Sequence, residues 1–123
     1  MTSSLADADL SRLVDDWIDW AEAARRLGVT VAKVRTMIRI HELAAAVPSS
    51  GAGQQVPAAF IDDDGLVVKG LGGLLTLMHD NRYDDRECIA WLFLDADLPG
   101  RPIDALRENR GAEVKRRAQA MGL

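Results

Sequence analysis

Five basic side chains, Arg25, Arg26, Lys33, Arg35 and Arg39, fall within the stretch AARRLGVTVAKVRTMIRI, and no Asp or Glu stands between Arg25 and Arg39. Guanidinium and ammonium groups interleaved with Thr30 and Thr36 are the side chains that meet phosphate oxygens and groove edges. On most helices, acids three or four residues away pair with such bases. Their absence inside this run leaves the charge to an outside partner. The whole chain is acidic, with a net charge of -4 over 123 residues. Residues 21–43 carry five bases against two glutamates, and residues 101–123 carry six bases against three acids, so each is a local island of +3. Local charge of this kind meets phosphate even where the overall balance repels it.

Two helices must hold these side chains together. Ala23, Ala24 and Leu27 share one helical face, and Gly28 ends that helix at the position that tolerates a left-handed backbone. Thr30 follows as an N-cap, its hydroxyl placed to accept from the amide of residue 32 or 33. Val31, Val34 and Met37 or Ile38 form the apolar stripe of a second helix to about Glu42. Ala24 is the small residue where the helices cross, and Gly28 supplies the turn four residues later, which is the helix-turn-helix pattern. Lys33, Arg35, Thr36 and Arg39 then face the groove or its phosphates, while Arg25, Arg26 and Thr30 contact the backbone. The stretch LAAAVPSSGAGQQVPAAFI reads as two short strands around a Pro-Ser-Ser-Gly-Ala-Gly tip, a wing beside the groove. That tip carries no Lys or Arg. DDDG (62–65) is a turn before the short strand LVVK.

The remaining elements frame this unit. Residues 1–16 read as a tail and a short helix, capped by Ser4 with Asp7 and running to about Asp16. DWIDW is an extended link, with Trp17, Ile18 and Trp20 as core material. LGGLLTLMHD forms one helix, and Asp84 with Glu87 makes a capping box for the next. Pro102 suits the first position of a helix through about Asn109, and Gly111 separates it from a last helix, AEVKRRAQAM. The expected fold is mainly α: a winged helix-turn-helix at 17–69 and a C-terminal helical subdomain at 70–123, with no linker between them.

Other chemistry is weakly represented. Cys88, the single cysteine, sits among core residues as a small hydrophobe and fits a reducing cytoplasm. His41 and His79 are distant in sequence and lack zinc-ligand spacing, so no metal is expected. DDDG lacks the spacing of a calcium loop. KGLGGLL lacks the full dinucleotide or P-loop pattern. With no Ser, His and acid arrangement either, no enzyme and no cofactor are expected. No apolar run of about 18 residues is present for a membrane span, and the acidic N-terminus reads as neither signal nor transit peptide. Thr2, Ser3 and Ser4 are hydroxyls near Asp7 and Asp9, candidate sites for a Ser/Thr kinase. A phosphate there would compete with DNA for Arg25, Arg26 and Lys33.

From Trp17 to Leu123 the chain resembles a family of small actinobacterial winged helix-turn-helix DNA-binding proteins with a characteristic C-terminal helical domain. The resemblance is carried by VVKGLGGLLTLMHDNRYDDRECIAWLF and LPGRPIDALRENRGAEVKRRAQAM, and by WAEAARRLGVTVAKVRTMI in the helix-turn-helix. It implies DNA binding through the N-terminal winged domain, without enzymatic activity; the function expected of the chain is that of a double-stranded-DNA-binding transcriptional regulator or chromosome-associated factor. More distantly, WLF, LPGRPIDAL and VKRRAQ are similar to the partner-binding domain of certain antitoxins. The alternative function is therefore a protein-interaction module whose basic C-terminal helix docks an acidic protein partner.

Overall fold

Four of the helices, those capped by Asp9, Asp19, Thr30 and Asp84, start where a side chain takes up one of the first free amides. The structure, a computed structural model, describes residues 5–94 and 100–120. After a 3-10 turn at Leu5–Asp7, Asp9 caps α1 (Leu10–Leu13) by accepting from the Ser11 amide. A short strand, β1 (Trp17–Ile18), leads into α2 (Trp20–Leu27), whose N-cap Asp19 accepts from the Glu22 amide at 2.8 Å. Thr30 opens α3 (Val31–Arg39) by accepting from the Lys33 amide at 3.0 Å. Then come β2 (Val56–Pro57), α4 (Leu71–Asp80) and α5 (Asp85–Phe93). Asp84 and Glu87 form the expected reciprocal capping box at the head of α5. Pro102 occupies the first turn of α6 (Pro102–Arg107), and α7 (Gly111–Ala120) ends the described chain.

Four boundaries differ from the sequence expectation. The helix drawn from Ser4 to Asp16 is split, because Asp9 engages both the amide and the hydroxyl of Ser11 and starts a new turn. Ser4, with Thr2 and Ser3, lies outside the described residues. Helix α2 begins at Trp20, since Asp19 is its cap. Helix α3 stops at Arg39 rather than Glu42, because His41 takes a left-handed conformation at φ 67°. The break before α7 is at Asn109 (φ 65°), and Gly111 is already helical.

The described residues form one two-stranded antiparallel sheet, Trp17 opposite Pro57 and Ile18 opposite Val56. Across the Gly/Ser tip the pairing is a single bridge, Ala46 with Gln55, closed by backbone bonds of 3.0 and 2.8 Å. The segment after the tip therefore pairs mainly with the strand before α2. Pro48 and Pro57 have no amide hydrogen to extend the ladder. In the DDDG turn, the Asp62 carboxylate accepts from the amides of Asp64 and Leu66. Gly65 (φ 77°) lies against the end of α2: a Cβ there would come 2.7 Å from the Arg26 carbonyl oxygen, so no other residue fits.

A single hydrophobic cluster crosses position 70. Val34 and Met37 of α3, Phe60, Leu71, Leu75 and Met78 of α4, Ile103 of α6 and Val114 of α7 all belong to it. At its centre is α5, buried at every position from Cys88 to Phe93. A helix apolar on all sides has to lie inside, and here the N-terminal segment, α4 and α6 pack around it. Arg86 straps the N-terminal segment to α5 by donating to the carbonyls of Ala6 and Ala8.

Candidate nucleic-acid interface

The α2–α3 pair is held by local chemistry. Gly28 takes φ 69° and its amide reaches the carbonyls of Ala24 and Arg25, as the turn requires. Ala23, Ala24 and Val34 are buried where the helices meet. A helix turns about 100° per residue. Ala32, Arg35, Thr36 and Arg39 therefore point away from the Val34–Met37 side, while Val31 and Lys33 flank that outward face on opposite edges.

The seven expected contact residues are not equivalent. Lys33, Arg35 and Arg39 are exposed on α3, and none has an ion-pair partner among the described residues. The Arg35 guanidinium lies 5.9 Å from the centre of the Trp20 ring, a cation–π contact that orients it. Thr30 uses an oxygen lone pair as the N-cap and keeps its O–H for an outside acceptor. Thr36 is half-buried and donates its hydroxyl back to the Ala32 carbonyl at 3.2 Å, so it offers a groove only its lone pairs.

Arg25 and Arg26 depart most from the expectation that no acid competes for the island. The acid lies just upstream: Glu22 accepts from Arg25 Nε at 2.9 Å and from Arg26 Nε at 2.8 Å. The two arginines, Arg25 first, hold the Glu22 carboxyl down to about 2. The i,i+3 and i,i+4 spacing of Glu22 to Arg25 and Arg26 in WAEAARR is the one that pairs on a helix, and it lies just upstream of the acid-free run from Arg25 to Arg39. Both arginines remain solvent-exposed on α2, so Glu22 competes with a phosphate for them without walling them off.

Two neighbours of this surface were not singled out from sequence. Val31, assigned to the buried stripe, is 41% exposed, because it sits at the stripe's edge in the first helical position. A branched apolar side chain there suits the methyl group of thymine. Trp20 packs against the core as expected, but it is only half-buried and faces Arg35. The wing base adds exposed Val47, 42% accessible. Elsewhere, burial first, then the nearby Asp85, pushes the Cys88 thiol up to about 12. It is no nucleophile at neutral pH.

The C-terminal half, residues 68–122, matches the family model described as the Rv2175c C-terminal domain of unknown function. Over 84% of its length the chain is 40% identical to a Mycobacterium tuberculosis protein named DNA-binding protein Rv2175c, and it covers 78% of that relative. The chain belongs to the Rv2175c family. Among solved structures, the NMR structure of Rv2175c superposes with a TM-score of 0.75 at 37% identity, covering 88% of this chain and 82% of that one. The family match reaches across both halves, since 84% coverage cannot be met by residues 68–122 alone. Among the described residues, no helix is long and apolar enough to cross a membrane.

Proposed function

We propose that this member of the Rv2175c family binds double-stranded DNA, with α3 entering the major groove. The observation that carries this reading is the outward face of α3, where Lys33, Arg35 and Arg39 are exposed without an acid partner on a rigid, capped helix. The name of the mycobacterial relative, a DNA-binding protein, supports it. Arg35, oriented by Trp20, reads base edges, with Val31 on the same edge of the helix for an apolar contact. Lys33, on the opposite edge, and Arg39 at the helix end grip phosphate. The Thr30 hydroxyl donates to phosphate at the N-terminus of α3, where the helix dipole also favours an anion. The uncharged wing tip lies along the backbone and contributes shape rather than charge. The role we assign to this binding is regulatory or chromosome-associated.

The test is a salt series of fluorescence-anisotropy titrations with a mixed pool of labelled duplexes, followed by sequencing of the retained fraction. Affinity is expected to fall linearly on a log–log plot as counterions are released, and the slope to shrink by about 1 in Lys33→Ala. Binding that ignores salt, or is unchanged when Lys33, Arg35 and Arg39 are all replaced by Ala, sinks the assignment.

A further inference from the structure

The turn that ends α3 brings three ligand-type side chains together. Glu42 N bonds to Met37 O at 2.9 Å and His41 N to Ile38 O at 3.2 Å. This closing motif places His41 in the left-handed position that glycine ordinarily fills. A histidine held at φ 67° is strained, and strain of this kind gathers at functional sites. The His41 ring stacks on His79, with centroids 3.7 Å apart and planes inclined by 15°. His79 lies in the last turn of α4, and its Nε2 is 2.7 Å from Asp85 Oδ1 at the head of α5. The other carboxylate oxygen of Asp85 accepts from the Ala45 amide at 3.1 Å, which fixes its direction. One donor atom from each of the three side chains lies within 4.8 Å of the others. His41 Nδ1 is out of water and has no hydrogen-bond partner among the described residues.

We propose that His41, His79 and Asp85 form a binding site for a divalent transition cation of the Zn2+ class. Two imidazoles and a carboxylate select borderline cations over Mg2+ and Ca2+, which favour all-oxygen sites. Three protein ligands leave a coordination position open to water. Tetrahedral bonds of about 2.0–2.1 Å separate donor atoms by about 3.4 Å. The His41 and His79 rings stack nearly parallel, so their in-plane lone pairs reach one cation only when both imidazoles turn out of the stack, and the 2.7 Å His79–Asp85 pair opens to about 3.4 Å. The cation takes over His79 Nε2, and the neutral ring keeps its hydrogen on Nδ1. Asp85, already oriented by Ala45, is a ligand with its outer hydrogen bond in place. The field is favourable as well. Both histidines stand at helix C-termini, the negative ends of α3 and α4. Glu42, Asp80 and Asp84 are exposed acids adjacent in sequence to the three ligands. Gly72 of α4 packs beside this turn, where a Cβ would come 3.7 Å from Glu42 Cα. A bound cation therefore ties the end of α3 to α4 and α5. The site does not depend on DNA binding.

The experiment uses the tag-free full chain, titrated with Co2+ as a spectroscopic probe and with Zn2+ in thermal melts. Wild type is expected to bind one equivalent of Co2+, with the visible bands of four-coordinate cobalt, and to melt at higher temperature with Zn2+ but not with Mg2+. His41→Gly keeps the left-handed turn and relieves its strain, so it folds. It is expected to lose at least tenfold in Co2+ affinity, together with the Zn2+ shift in melting. His79→Gln is expected to do the same. Wild type without cobalt bands overturns the site, as does binding by His41→Gly and His79→Gln that equals wild type.

Discussion

Residues 21–43 and 101–123 carry the same net charge, +3, but the fold employs them differently. In the first island Glu22 engages Arg25 and Arg26, while Lys33, Arg35 and Arg39 have no acid partner among the described residues. In the second, three of the arginines, Arg101, Arg107 and Arg110, are engaged by groups of the protein itself. Arg101 bridges Asp104 and Asp15 and lies over the Phe93 ring. Arg107 donates to the carbonyls of Ala59 at 2.7 Å and Ile61 at 3.0 Å. Arg110 pairs with Glu108 and Glu113. Only Lys115 and Arg116 of that island are exposed bases without an ion pair among the described residues. Counted charge and available charge thus diverge wherever acids stand three residues away or carbonyls lie unpaired nearby.

The sharpest break in this contrast is Arg107→Ala. It leaves two backbone carbonyls without their charged donor, and a stability loss of about 2–3 kcal/mol is expected. The urea midpoint should fall at unchanged m, while the folded protein binds DNA normally. If instead DNA affinity falls and stability holds, the two islands have been assigned the wrong way round.

Arg35→Ala should do the reverse. DNA binding weakens by about 1–3 kcal/mol with loss of sequence preference, and stability changes by no more than about 1 kcal/mol, the scale of the exposed cation–π contact. Competition binding with matched and mismatched duplexes reads the first quantity, and denaturation the second.

Glu22→Gln asks whether Arg25 and Arg26 are held in reserve. Removing the acid should raise DNA affinity a few-fold at low salt and steepen the salt slope by up to about 1–2, as one or two arginines turn to phosphate. The pH dependence has a definite sign. The folded Glu22 carboxyl is depressed to about 2, below its ordinary value of 4.5. Its pairing is therefore fully present above the ordinary value and is lost as pH falls through about 2. Carboxyl NMR should show Glu22 titrating near 2, and a midpoint near 4.5 would mean that no pair forms in solution.

The smallest effect belongs to Lys115→Ala and Arg116→Ala. If the second island takes no part in DNA binding, affinity and stability should each stay within about 0.5 kcal/mol of wild type. A uniform loss across sequences in the same anisotropy assay would extend the interface onto α7.

Much of the local architecture was readable. The turn at Gly28, the Thr30 cap, the Asp84–Glu87 box and Pro102 in the first turn of α6 all depend on groups within four residues of one another. The misreadings were partly of the same range. Asp19 caps α2 through the Glu22 amide three residues on, and Glu22 pairs with Arg25 and Arg26 three and four residues on. The residues of the proposed interface could be named from sequence as a set but not ranked, because sequence does not show that Thr36 bonds back to Ala32 or how far Val31, at the edge of its stripe, is left open to solvent.

The sequence by itself determined which segments are helical, where most of them begin, and that positive charge collects on a helix-turn-helix pattern. These follow from capping, 3.6-residue periodicity and side-chain type, interactions that act between near neighbours whatever the rest of the chain does. Only the tertiary structure decided which arginines remain available and what the two histidines face. Arg107 finds its carbonyls 46 and 48 residues away, Asp85 finds the Ala45 amide 40 away, and Arg86 meets Ala8 across 78. Such partners are set by how the apolar faces of α3 to α7 pack around one core. That packing is a property of all the helices at once, and no short window of residues contains it.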